Sequence, residues 1–151
     1  MTIAIRPATI ADEDAILDLL PQLFEPPAAR PPPGYTRERG CRGVRWAVGQ
    51  PDADILLALD GARLVGLASV YADIESIRFG RRTWLQDLIV DRDARSAGVG
   101  KALLAAAAAW GLERGCTHLE LSSGSGRVDA HRFYEREGMG MSYCFSLWLE
   151  E

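Results

Sequence analysis

A chain of 151 residues, 48% hydrophobic and 25% charged, has the size and composition of one ordinary globular domain, here taken as residues 1–151. Its net charge of −4 gives no basic footprint for nucleic acid, no run approaches the roughly 18 apolar residues of a membrane span, and MTIAIRP lacks the pattern of a secretory leader. Widely spaced Cys41, Cys116 and Cys144 argue against a disulfide framework and read as small buried residues; neither His118 nor His131 has metal-ligand spacing, so no metal is expected and the cytoplasm is the expected compartment.

Thr2 to Arg6 reads as a short first strand, ended by Pro7. Thr9 and Asp12 have capping-box spacing, and Ile16, Leu17, Leu20 and Leu23 form an apolar stripe behind them, so a helix follows. Residues 26–35, PPAARPPPGY, hold too many prolines to continue it and form a stiff surface loop. Arg37 to Val48 reads as a second helix despite Gly40 and Gly43. Asp54 to Leu59 and Arg63 to Tyr71 are apolar runs joined by Asp60-Gly61, the signal for a tight antiparallel hairpin. Asp73 to Arg82 is polar, a loop or a frayed hairpin end.

The strand Thr83 to Val90 then runs through a charged turn into Gly98, Gly100 and an alanine-rich helix over about Val99 to Glu113. Leu103, Leu104, Ala107 and Trp110 form its inner face, and Gly115 suits a left-handed cap. Thr117 to Leu121 completes a βαβ unit of parallel strands with a right-handed crossover. Ser122 to Gly126 is a flexible turn, Asp129 to Glu137 a further helix closed by Gly138, and Tyr143 to Leu149 a final strand.

The start of the central helix is a natural phosphate site. Its first N–H groups lack intrahelical partners, the peptide dipoles leave partial positive charge there, and two glycines allow close backbone approach. A P-loop fails because Arg95 and Ala102 occupy its glycine and hydroxyl positions, and a dinucleotide fingerprint fails at Leu103. A nucleotide-binding α/β domain is disfavoured on that ground.

What remains, Arg95-x-x-Gly98-x-Gly100 after a strand, resembles the R/Q-x-x-G-x-G/A motif of the GNAT superfamily of N-acetyltransferases. AHRFYEREGM is similar to that family's A-x-x-[F/L]-Y-x-x-x-G-[F/M] signature, and IRPATIADEDAILDLL to its opening. The resemblance implies an α/β (α+β) fold: a mixed, mostly antiparallel sheet of six or seven strands, helices on both faces, and a gap between the two central parallel strands. It implies acetyl-CoA as co-substrate, with Leu88, Ile89 and Val90 offering backbone groups to the pantetheine arm and Arg95, Ser96, Ala97, Gly98, Val99, Gly100 and Lys101 serving the pyrophosphate. The Val90 backbone N–H becomes the oxyanion donor and Tyr134 the general acid, protonating the departing thiolate. Arg127 stands where many relatives carry an asparagine, and could instead reach a coenzyme phosphate. The base stays open between Asp87 and Glu120, each of which also reads as a solvated strand residue; by alternation Asp87 faces away from Leu88 and Val90. The implied reaction acetylates a primary amine of a small molecule or protein, with no nucleic acid or membrane partner; the alternative is a non-catalytic acyl-CoA sensor. The segment between the first two helices helps wall the acceptor site in that family, and a homodimer through the exposed last strand is expected by the same analogy.

Overall fold

The computed structural model describes residues 1–26 and 30–149. Residues 27–29 of the expected proline-rich loop lie outside them. Five strands form one sheet in the order β1-β2-β3-β4-β5: β1 (Ile3–Pro7), β2 (Ala53–Asp60), β3 (Arg63–Ser76), β4 (Gly80–Val90) and β5 (His118–Leu121). The first three pairings are antiparallel and β4–β5 is parallel, as a helical crossover between those two strands requires.

Local chemistry places the elements much as the sequence suggests. The Thr9 backbone N–H donates to the Asp12 carboxylate at 2.8 Å, opening a short 3₁₀ turn into α1 (Glu13–Leu19), and a second 3₁₀ segment, Leu20–Phe24, follows. Thr36 caps α2 (Arg37–Val48) by accepting from the Arg39 N–H at 3.0 Å. β2 and β3 join through the two-residue loop Gly61-Ala62, since Asp60 pairs with Arg63. The polar stretch after Tyr71 is no loop: β3 continues to Ser76 and turns into β4 at Gly80, so a long hairpin absorbs it.

Helices cover both faces. On one, α3 (Val99–Glu113) packs Val99, Leu103, Ala107 and Trp110 against Val65, Ala68, Val70 and Leu85. A Cβ at Gly111 would collide with Thr83, so glycine there lets α3 lie close on β4. On the other face, α1 and α2 bring Ile16, Leu17, Val44 and Ala47 onto Ile55, Leu57, Leu67 and Ile89. α4 (Val128–Arg136) completes the helices, and Gly138 after it adopts φ 90°.

Two expectations need correction. Tyr143 to Leu149 does not form a strand, which leaves five strands rather than six or seven. The aromatic and apolar bulk suits a sheet, but a strand exists only as part of a ladder, and this segment pairs with no described residue. Tyr143, Phe145, Leu147 and Leu149 are accordingly 85–93% exposed. Cys144 on this tail is also exposed, while Cys116 is buried and Cys41 half-buried. Among the described residues, no helix is long and apolar enough to cross a membrane.

Candidate active site

The site begins where two parallel strands stop pairing. β4 matches β5 only from Arg82↔His118 to Leu85↔Leu121, yet β4 runs on to Val90. Beyond Leu85 the β5 side of β4 lacks its strand. The Asp91 N–H donates to Val65 O at 2.8 Å, making 65/91 a hydrogen-bonded pair. With Gly66↔Val90 and Ala68↔Leu88 in register, antiparallel alternation turns the backbone N–H and C=O of Val90 and Leu88 away from β3, toward the gap.

A cleft of about 720 Å³ opens there. Leu88, Ile89 and Val90 form one wall, the turn before α3 a second, and Arg127, Phe133 and Tyr134 a third. Of the seven turn residues expected here, Arg95, Ser96, Gly98, Val99, Gly100 and Lys101 line the cleft and Ala97 does not. Ser96 and Gly98 have φ of 66° and 81°, so this short turn contains two left-handed residues. Such a turn, closing on the N-terminus of α3, presents successive backbone N–H groups to an anion. The Arg95 side chain folds back, its Nε donating to Val90 O at 3.3 Å.

A fourth wall comes from the segment between the first two helices, which the resemblance assigns to the acceptor side of the site. Gln22, Leu23, Glu25 and Pro26, after α1, cross to the cleft. They are tied down at both sides. Gln22 Oε1 accepts from the Arg92 N–H at 3.0 Å and Glu25 pairs with the Arg92 guanidinium, while Arg127 Nη2 donates to Leu23 O at 2.6 Å. Arg127 thus clips α4 to the segment after α1.

Tyr134 is half-buried beside Phe133, ring centroids 5.3 Å apart. Burial pushes its phenol up from the ordinary value, with the Arg127 charge pulling the other way. The hydroxyl therefore holds its proton at neutral pH and can donate it.

The two candidate bases separate clearly. Glu120 is exposed and engaged, 3.0 Å from His118 and 3.8 Å from Arg82. Asp87 accepts from Ser69 Oγ at 3.1 Å, and its own N–H donates to that oxygen at 3.0 Å. Burial pushes its carboxyl up and the Ser69 bond only partly offsets this. Its direction depends on a bulge: Ser69 pairs with Asp87 but Val70 with Leu85, so Gln86 is an extra residue in β4. Were residues 85 to 87 to alternate regularly, with no bulge, Asp87 would share Leu85's face under α3. The bulge turns Asp87 to the α2 face with Ile89, while Leu88 and Val90 stay with the α3 core.

The chain matches the model of the Acetyltransferase (GNAT) family over residues 14–141. It is 30% identical over 139 residues to an aminoalkylphosphonate N-acetyltransferase of Salmonella typhimurium, covering 92% of this chain and 86% of that protein. It is 46% identical over 73 residues to the uncharacterized N-acetyltransferase YhdJ of Bacillus subtilis, a match spanning 46% of this chain and 51% of that relative. Among solved structures, aminoglycoside N-acetyltransferase AAC(6')-Iy, bound to a bisubstrate analogue of coenzyme A and acetylneamine, superposes with a TM-score of 0.83 at 16% identity over 100% of this chain and 99% of its own. Glucosamine-6-phosphate N-acetyltransferase from Arabidopsis thaliana gives 0.79 at 22% identity over 99% of this chain and 100% of its own. Both share its fold.

Proposed function

The chain belongs to the GNAT acetyltransferase family, whose members use acetyl-CoA, and from that premise we propose that it moves the acetyl group to a primary amine of a small molecule or a protein by direct attack. The observation carrying this reading is the gap beside β4, with backbone groups of Leu88 and Val90 turned into it and the left-handed turn at its end. In this scheme the pyrophosphate lies against the turn from Arg95 to Lys101, and the pantetheine arm runs along Leu88 to Val90. The amine nitrogen bonds to the thioester carbonyl carbon. The Val90 N–H meets the developing oxyanion, the C–S bond breaks, the Tyr134 hydroxyl gives its proton to the departing thiolate, and the proton still carried by the acetylated nitrogen returns to the tyrosinate.

Asp87 is the proposed base. An alkylamine with a pKa of about 10.4 arrives as an ammonium and must lose a proton before attack. A carboxylate held above its ordinary pKa by burial is the better acceptor of that proton. The relative's name gives aminoalkylphosphonate as its substrate and the fold neighbour carries a neamine analogue. An aminated small molecule is consistent with both.

Residues 1–151 act as one domain in this reading. Three free cysteines fit a reducing compartment, supporting a cytoplasmic location. A homodimer is supported by the apolar tail after Met139, which in a single copy stays in water. The competing reading, a non-catalytic acyl-CoA sensor, draws on Arg127 where relatives carry asparagine and on its commitment to Leu23 O. A Tyr134→Phe variant tests the enzyme. Thiol release from acetyl-CoA with an amine panel should fall at least 100-fold, on the order of a lost general acid, with coenzyme affinity nearly unchanged. Turnover equal to wild type would remove Tyr134 as the acid, and coenzyme binding without turnover by the unmodified protein would favour the sensor.

A further inference from the structure

The sheet face under α2 carries a second concavity, of about 600 Å³, distinct from the coenzyme cleft. Trp46, Tyr71 and Trp84 line it. Trp46 is 54% exposed, and its ring stacks on Tyr71 with centroids 5.9 Å apart and planes 29° from parallel. Trp84 is the cross-strand neighbour of Tyr71. Isolated exposed apolar residues are ordinary on a protein surface, but three large aromatics around one hollow are not. Tyr71 stands two residues from Ser69 on β3, and Ser69 Oγ donates to the Asp87 carboxylate at 3.1 Å, which puts the proposed base on the same sheet face as the basin.

Charge decides what such a hollow can accept. Arg81 lies 3.0 Å from Asp52 and 3.8 Å from Glu75; Arg82 lies 2.8 Å from Asp73 and 3.8 Å from Glu120. Of these only Asp52, Asp73 and Arg82 line the hollow, so its walls carry two carboxylates to one guanidinium, and that guanidinium is held by Asp73. The Arg82 guanidinium is further laid over the Trp84 ring, 4.7 Å from its centroid. Among the described lining residues, no cation is left to hold an anionic ligand, whereas aromatic faces beside excess carboxylates attract an ammonium.

We propose that this basin is the acceptor site and admits a primary amine entering as an ammonium on an apolar or ring-bearing body, while rejecting amines that carry a phosphonate or carboxylate. The inference rests on the acetyl-transfer reading and adds its substrate class. The acceptor body lies on the Trp46–Tyr71 stack, and its nitrogen points toward Asp87.

The test uses the full chain with saturating acetyl-CoA and two probes, 2-phenylethylamine and 2-aminoethylphosphonate. Thiol release should show at least a tenfold higher kcat/KM for 2-phenylethylamine. Trp46→Ala should raise the KM for that amine about tenfold with kcat and acetyl-CoA affinity unchanged, and Trp46→Phe should recover most of the loss. Preference for the phosphonate, or an unchanged KM in Trp46→Ala, overturns the inference and leaves acetyl transfer standing. If acetyl-CoA binds but neither probe turns over, tryptophan fluorescence decides. 2-Phenylethylamine must alter the emission of wild type, with a midpoint about tenfold higher in Trp46→Ala; no change in wild type, or an equal midpoint in both, overturns the inference. A folded wild type that does not bind acetyl-CoA overturns the acetyl-transfer reading itself.

Discussion

Gly98 and Gly100 look equivalent in the motif but occupy different physical situations, and substituting each by alanine should separate them. Gly98 has φ 81° and ψ 7°, and a Cβ there would meet nothing within 4 Å. The cost of Gly98→Ala is therefore conformational, about 1–2 kcal/mol for an L-residue held left-handed. With a urea slope of about 2 kcal/mol/M, the unfolding midpoint should fall by about 0.5–1 M. Gly100 lies within α3, and its Cβ would sit 3.5 Å from Phe133 Cζ and 3.6 Å from Val90 Cγ2, ordinary van der Waals contacts. Gly100→Ala should leave stability unchanged or raise it by up to about 1 kcal/mol, the helix preference for alanine. Coenzyme affinity should follow the turn. Relaxing Gly98 redirects the amides that meet the pyrophosphate, weakening acetyl-CoA about tenfold or more, equivalent to about 1.4 kcal/mol, while Gly100→Ala binds almost as wild type. Urea unfolding and isothermal titration calorimetry read the two effects. Wild-type stability and affinity in Gly98→Ala, or an equal loss in both variants, would refute this account of the turn.

Three further outcomes follow from named groups. Asp87 acts deprotonated and burial raises its pKa, so kcat/KM should climb as pH rises through a limb above the ordinary carboxylate range; Asp87→Asn should abolish that limb and lower the rate about 100-fold or more. An unchanged pH profile in the variant would assign the limb elsewhere. Thr83 Oγ1 is buried against Gly111 and makes no hydrogen bond with the described residues; Thr83→Val keeps the shape and should stabilise by about 1 kcal/mol, a Tm rise of about 2–4 °C by calorimetry. Deleting residues 141–151 removes the exposed apolar tail, and sedimentation should show a dimer becoming a folded monomer; equal mass before and after deletion would place any dimer contact elsewhere.

The elements legible in the sequence were those encoded locally. The capping pair Thr9 and Asp12, the Asp60-Gly61 hairpin signal and the helix bounds Val99 to Glu113 depend on neighbours a few residues apart, and all three appear in the structure. Features set by distant partners were harder. Nothing in WLQDLIV marks Gln86 as the extra residue, because a bulge is defined by the opposing strand, and it is Gln86 that turns Asp87 toward α2. The wall from Gln22 to Pro26 depends on Arg92 and Arg127, far away in the chain. Tyr143 to Leu149 failed the other way: its aromatic and apolar bulk suits a strand, but no described strand pairs with it. The aromatic basin joins α2, β3 and β4, so Trp46, Tyr71 and Trp84 become one surface only after folding.

The central claim is that the gap beside β4 holds an acetyl-CoA thioester for transfer. Calorimetric titration of the purified protein with acetyl-CoA, and with free coenzyme A and ATP for comparison, tests it most directly. The account predicts binding of both coenzymes with no comparable binding of ATP. Tight ATP binding without affinity for acetyl-CoA, in a folded protein, would contradict it.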